Sequence, residues 1–161
     1  MASRSRVLLA VSVLAGTLVL PAASSARAST RCDPLRYNSK TNSLRHKASN
    51  GALLVEYHVT VSWCTAPNNS IQPRVYSPRR TRGLVLTVTG LLVGWSFDRV
   101  LGEQRSYFRY KGVPYGGYYV NTQVRFIRCV PGLIPVCTAH SGWLHTYVHY
   151  DRTATAVRGW N

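Results

Sequence analysis

From residue 52 to residue 64 apolar and polar side chains alternate almost without a break. Leu53, Val55, Tyr57, Val59, Val61 and Trp63 fall on one side of an extended chain, because successive strand side chains point to opposite faces. Leu54, Glu56, His58, Thr60, Ser62 and Cys64 fall on the other. One dry face and one wet face mark a half-buried antiparallel strand. This segment predicts the strand around which a core forms.

Residues 83–97 are nearly continuously apolar and predict a long buried strand, bent or bulged at Gly90 and Gly94. Two glycines and many β-branched residues argue against a helix there. Residues 103–130 predict a hairpin with arms 104–111 and 118–129 and a turn over 112–117. On its second arm Tyr118, Val120, Thr122, Val124 and Phe126 form the expected inward set. Residues 142–151 alternate again, with Leu144, Thr146, Val148 and Tyr150 opposed to Trp143, His145, Tyr147, His149 and Asp151. Residues 153–157 are expected to add a short closing strand.

The remaining stretches predict irregular structure. Residues 29–51 are polar and basic, with a short edge strand near 35–37. Residues 65–82 carry Pro67, Pro73 and Pro78, which exclude a central strand. They predict a long loop with an edge near 74–76. No amphipathic helix is predicted. The fold class is all-β: a small antiparallel β-sandwich of about six to eight strands, Ig-like or barrel-like.

Residues 1–28 are expected to be a cleaved secretory signal peptide. Arg4 and Arg6 precede an apolar run over 7–20, Pro21 breaks it, and Ala26-Arg27-Ala28 supplies the small-residue end. The run is shorter than the roughly 20 residues a membrane span needs, and no membrane span is expected elsewhere. Residues 29–161 then form one secreted, extracellular domain. All four cysteines lie within it. An even count in an exported chain implies two disulfides. Cys32–Cys64 with Cys129–Cys137 is the favoured pairing, since Pro131-Gly132 is a turn signal between the last two.

Catalytic chemistry finds little support. Glu56 and His58 share the wet face of the first strand about 7 Å apart, a spacing that could bracket a substrate proton in a hydrolase. Ordinary surface is the plainer reading. His145 and His149 are four residues apart, about 13 Å along a strand. Zinc–nitrogen bonds are about 2 Å, so the two rings cannot share one ion. No metal and no cofactor are expected. The strip from Trp143 to Asp151 reads as a solvated outer face or as a ligand platform of rings.

Charge alters the picture more. The chain carries +15. Without Arg4, Arg6 and Arg27, seventeen basic residues remain against five acidic ones, a net +12. The only lysines are Lys40, Lys47 and Lys111, a bias in keeping with a GC-rich genome such as that of an actinobacterium. Arg74, Arg79, Arg80 and Arg82 crowd one segment. Arg105, Arg109, Lys111, Arg125 and Arg128 lie on the hairpin arms, with Tyr107 and Tyr119 among them. Cations attract phosphate, sulfate and carboxylate groups, and rings stack on bases or sugars. The expected function is a secreted, non-enzymatic binding protein for an anionic extracellular polymer or cell surface. Two alternatives accompany it. One is a protein–protein module, an inhibitor or effector, acting through the Cys129–Cys137 loop. The other is a hydrolase using Glu56 or His58.

Overall fold

The structure, a computed structural model, describes residues 36–65, 73–130, 132 and 134–161. The elements run β1 Tyr37–Lys47, β2 Leu53–Thr65, β3 Val75–Leu86, α1 Val88–Leu92, β4 Trp95–Tyr110, β5 Val113–Val130, β6 Val136–His149 and β7 Ala154–Trp160. One sheet has the order β1-β2-β3 and the other β4-β5-β6-β7. Every pairing is antiparallel. The all-β, sandwich-like arrangement agrees with the alternation in the sequence. Each strand pairs with its chain neighbour, so the sheets are two meanders. Among the described residues there is neither an Ig-like Greek-key crossover nor a closed barrel.

The core lies between the sheets. Val55, Tyr57, Val59, Val61 and Trp63 of β2 are buried, and so are Val120, Val124 and Phe126 of β5 and Leu144 and Val148 of β6. Burying each such side chain contributes about 1.5–3 kcal/mol before the entropy of ordering is set against it. The inward faces of β2, β5 and β6 are those expected. Two buried polar groups also bind sheet to sheet. Trp63 Nε1 donates to the His149 carbonyl at 3.0 Å. Asn42 Nδ2 donates to the carbonyls of His145 and Val157.

Several expectations are corrected. Within residues 29–51, a full eleven-residue edge strand, β1, replaces irregular structure. Its polarity hid it: among its hydrophobic residues Leu44 alone is core, and the long register with β2 supplies the rest of its stability. Within residues 65–82, β3 takes up the expected loop from Val75 onward, and Arg79, Arg80 and Arg82 sit on it. Pro78 is accommodated because β3 is an edge strand. The proline follows Ser77, at φ +44°, where the register with β2 shifts between Ser62 and Cys64.

The long strand expected over 83–97 is broken in two by α1. Thr87 caps this turn, its hydroxyl accepting from Gly90 N at 3.0 Å. The glycines belong to close approaches rather than to a bulge. A Cβ on Gly90 would stand 2.1 Å from the Leu54 carbonyl oxygen. One on Gly94, at φ +86°, would stand 1.7 Å from that of Cys129. The hairpin turn is not 112–117 but Lys111-Gly112, at φ +48° and +78°. Positive φ at both positions is the signature of the type I′ turn, whose twist matches that of the strands. β6 also starts earlier and β7 ends later than expected.

Cys129 and Cys137 stand opposite one another on β5 and β6 and are disulfide-bonded. Cys64 is buried and is not a free thiol. Its expected partner Cys32 lies outside the described residues, as does the signal peptide. No described helix is long and apolar enough to cross a membrane.

Candidate polyanion-binding surface

β3 and β4 are edge strands of different sheets, and they lie against each other along one side of the sandwich. Register decides which arginines meet there. Arg80 pairs with Val61 and Arg82 with Val59, so both side chains take the inward direction of those core valines. Arg105 pairs with Val120 and Tyr107 with Tyr118, and these too point inward from β4. The layers thus bring three guanidiniums onto one carboxylate, Glu103. Arg82 donates to its Oε2 from Nη2 at 2.8 Å and from Nε at 3.2 Å. Arg105 Nε is 3.3 Å from Oε1, and Arg80 contacts the same oxygen. The Glu103 side chain is 8% exposed, while that of Arg105 is 52% exposed.

Tyrosines surround this cluster. Tyr57 stacks on Phe97 with centroids 5.7 Å apart. Burial pushes its hydroxyl pKa up, the charges of Arg82 and Arg80 working against the burial and that of Glu103 with it. The hydroxyl has no hydrogen-bond partner among the described residues. Tyr107 packs against Tyr118 at 5.1 Å and Tyr115 at 5.7 Å. Burial raises the pKa of both Tyr107 and Tyr118. Arg74, over the Tyr76 ring at 4.3 Å, adds a fourth cation whose charge reaches Tyr107. Neutral phenols and guanidiniums are donors, so the lining suits an anion. Four cations stand against one carboxylate, an excess of three.

The other candidates go elsewhere. Arg79 pairs with Ser62 and points to the outer face. Arg109 is displaced at the bulge between Phe108 and Tyr110, so it does not continue the row of Arg105 and Tyr107. Lys111 binds Asp151 at 3.0 Å. Arg125 binds Asp98. Arg128 lies at the far end near His46. Tyr119 lies on the outer face opposite Tyr147.

Sequence reasoning missed Glu103, Tyr57 and Tyr118 as members of the site. Glu103 had one available signal: it is the only acidic residue between Asp98 and Asp151. Glu56 and His58 are not drawn into a site. Arg45 Nε lies 3.0 Å from Glu56. Burial acts to raise the Glu56 pKa, but hydrogen bonds from Arg45 and Ser43 and the charges of Arg45 and His58 hold it below the usual range. A carboxylate so held is a poor general acid. The His58 ring occupies the space left by the missing Cβ of Gly83. No group of three or more metal-ligating side chains occurs among the described residues. Compared with known proteins, the chain matches no family model, no curated protein and no solved structure.

Proposed function

We propose that this is a secreted, non-enzymatic binding protein that engages an anionic extracellular polymer along the β3–β4 edge. The observation that carries the reading is the gathering of Arg80, Arg82 and Arg105 around a single carboxylate beside tyrosine rings, with Arg74 over the nearby Tyr76 ring. Such a cluster attracts further negative charge, and its exposed arms, Arg74 and Arg105, meet the ligand first. Binding to immobilised heparin is expected to weaken steeply between roughly 50 and 500 mM salt, because neutralised anionic groups release counterions. Arg74→Ala and Arg105→Ala should each lower that slope, whereas Arg152→Ala should not. Salt-insensitive binding, or equal effects of all three variants, overturns the reading.

A second reading, a protein–protein module, is favoured by the Cys129–Cys137 loop. Ile134 is 82% exposed and Val136 64% exposed, a degree unusual for aliphatic side chains without a partner. Its test is capture of a protein partner that Ile134→Asp abolishes without altering heparin binding.

A further inference from the structure

We infer that the outer face of the β4–β7 sheet takes the sugar rings of the bound polymer, which is therefore an acidic polysaccharide. The inference rests on the polyanion reading for the charge and adds the chemistry of the chain that carries it. Tyr118, Val120 and Thr122 point to the core, so Tyr119, Asn121 and Gln123 point outward. Their register partners on β6 are Tyr147, His145 and Trp143. Phe108 joins them from β4, 6.1 Å from Tyr147 and 6.4 Å from Tyr119. The strip from Trp143 to Tyr147 runs about 13 Å along β6, and His149 beyond it is buried under the Tyr110 ring.

Two glycines set how these rings lie. A Cβ on Gly159 would stand 2.7 Å from Trp143 Cζ2, and one on Gly117 would stand 2.2 Å from Phe108 Cζ. Both rings therefore lie down against neighbouring backbone and turn a face outward. An exposed ring face is what the C–H face of a sugar stacks on. Phe108 and Tyr147 meet edge to face, at 83°, which leaves no parallel slot for a base and favours a ligand lying on top. Polar groups sit between the rings. Gln123 is exposed there, and its carboxamide can both donate to and accept from a sugar hydroxyl.

Charge around the strip favours an acid-bearing chain. Its marginal carboxylates are already paired, Asp98 with Arg125 and Arg99, and Asp151 with Lys111. Arg99 and Arg109 are exposed on β4. β4 is an edge strand whose other face carries Arg105, so one polymer crossing that edge meets rings on one side and the arginine cluster on the other.

The test compares alginate (a polyuronate), inorganic polyphosphate (charge without rings) and single-stranded DNA on the full mature chain. Alginate is expected to bind about tenfold more tightly per charge than polyphosphate. Trp143→Ala and Tyr147→Ala should each remove most of that advantage and leave polyphosphate binding unchanged. A second readout needs no variant: alginate, but not polyphosphate, should protect tryptophan fluorescence of the wild type from acrylamide quenching. Alginate no better than polyphosphate, protection by both alike, or a preference for DNA overturns this inference and leaves the polyanion reading standing. Failure of all three polymers to bind overturns both.

Discussion

The carboxamide of Asn42 on β1 donates to the carbonyl oxygen of His145 on β6 at 3.1 Å, and its second hydrogen goes to Val157 on β7 at 2.9 Å. Asn42 is 2% exposed. One buried side chain therefore joins the β1 edge of the first sheet to two strands of the second. Asn42→Leu leaves two carbonyls without these donors. It should lower stability by about 2–3 kcal/mol, read as a fall in the urea midpoint at unchanged slope. Asn42→Asp should cost more, since a carboxylate would face two carbonyl oxygens. Wild-type stability in Asn42→Leu would show that the apolar layers alone hold the sheets together.

Glu103→Gln removes the counter-charge shared by Arg80, Arg82 and Arg105. Those arginines are partly exposed, so the loss should be about 1–2 kcal/mol rather than the full penalty of breaking a buried pair. An external anion should restore it. Sodium sulfate, against chloride at equal ionic strength, should raise the melting temperature of the variant more than that of the wild type. Equal gains would mean that the cluster does not take anions.

Gly94 and Gly112 share a positive φ but differ in surroundings. Gly112 faces open space, so Gly112→Ala should cost about 1–2 kcal/mol from backbone strain alone. Gly94→Ala meets backbone at Cys129 and should cost at least twice as much, measured by thermal or urea unfolding. Similar losses at the two sites would show that the α1–β4 junction relaxes easily.

Stability should fall as pH drops from about 7 to 5. Burial lowers the pKa of His46, and the charges of His140 and Arg128 lower it further. Burial also lowers that of His149, beyond the opposing effects of Asp151 and Thr153. Both folded values lie below the unfolded one, near 6.5. The unfolded chain therefore binds more protons, and stability rises with pH across this window. The contribution is complete above about pH 6.5 and is lost as pH falls through the folded values. The double variant His46→Gln/His149→Gln should show a flatter dependence of urea midpoint on pH.

Asp151 extends the effect to lower pH. Burial acts to raise its pKa, but hydrogen bonds from Thr153, Lys111 and Tyr110 hold it well below the usual carboxylate range. Its stabilising effect is present above the unfolded value, about 3.9, and is lost as pH falls toward the folded value. Asp151→Asn should therefore be less stable than wild type by a constant amount above about pH 7, where His149 is neutral with or without the Asp151 charge. The gap should shrink below about pH 4.

Several features were legible from the chain alone. β2, β5 and β6 were readable because each has one buried face, and period-two alternation records that directly. β1 was not. Its burial concentrates in Asn42-Ser43-Leu44, which reads as polar sequence, and its stability comes from pairing with β2. α1 was hidden for the opposite reason: Val88, Leu91 and Leu92, all exposed, look like buried strand until Gly90 and Gly94 meet Leu54 and Cys129. The site was half legible. That arginines and tyrosines accumulate was plain, but which of them share a face was not, because bulges at Ser77 and near Arg109 change the count.

The sequence by itself determined an all-β chain, a strongly basic charge and the inward faces of its three central strands, because side-chain polarity and the two-residue repeat act locally. Only the tertiary structure decided that Arg80, Arg82 and Arg105 converge on Glu103 while Arg125, Arg128 and Lys111 disperse. It likewise decided that Trp143 and Phe108 lie flat over glycines of adjacent strands. Those arrangements depend on register, on bulges and on which edges of two sheets face each other. Such relationships arise between residues far apart in the chain, and no local pattern encodes them.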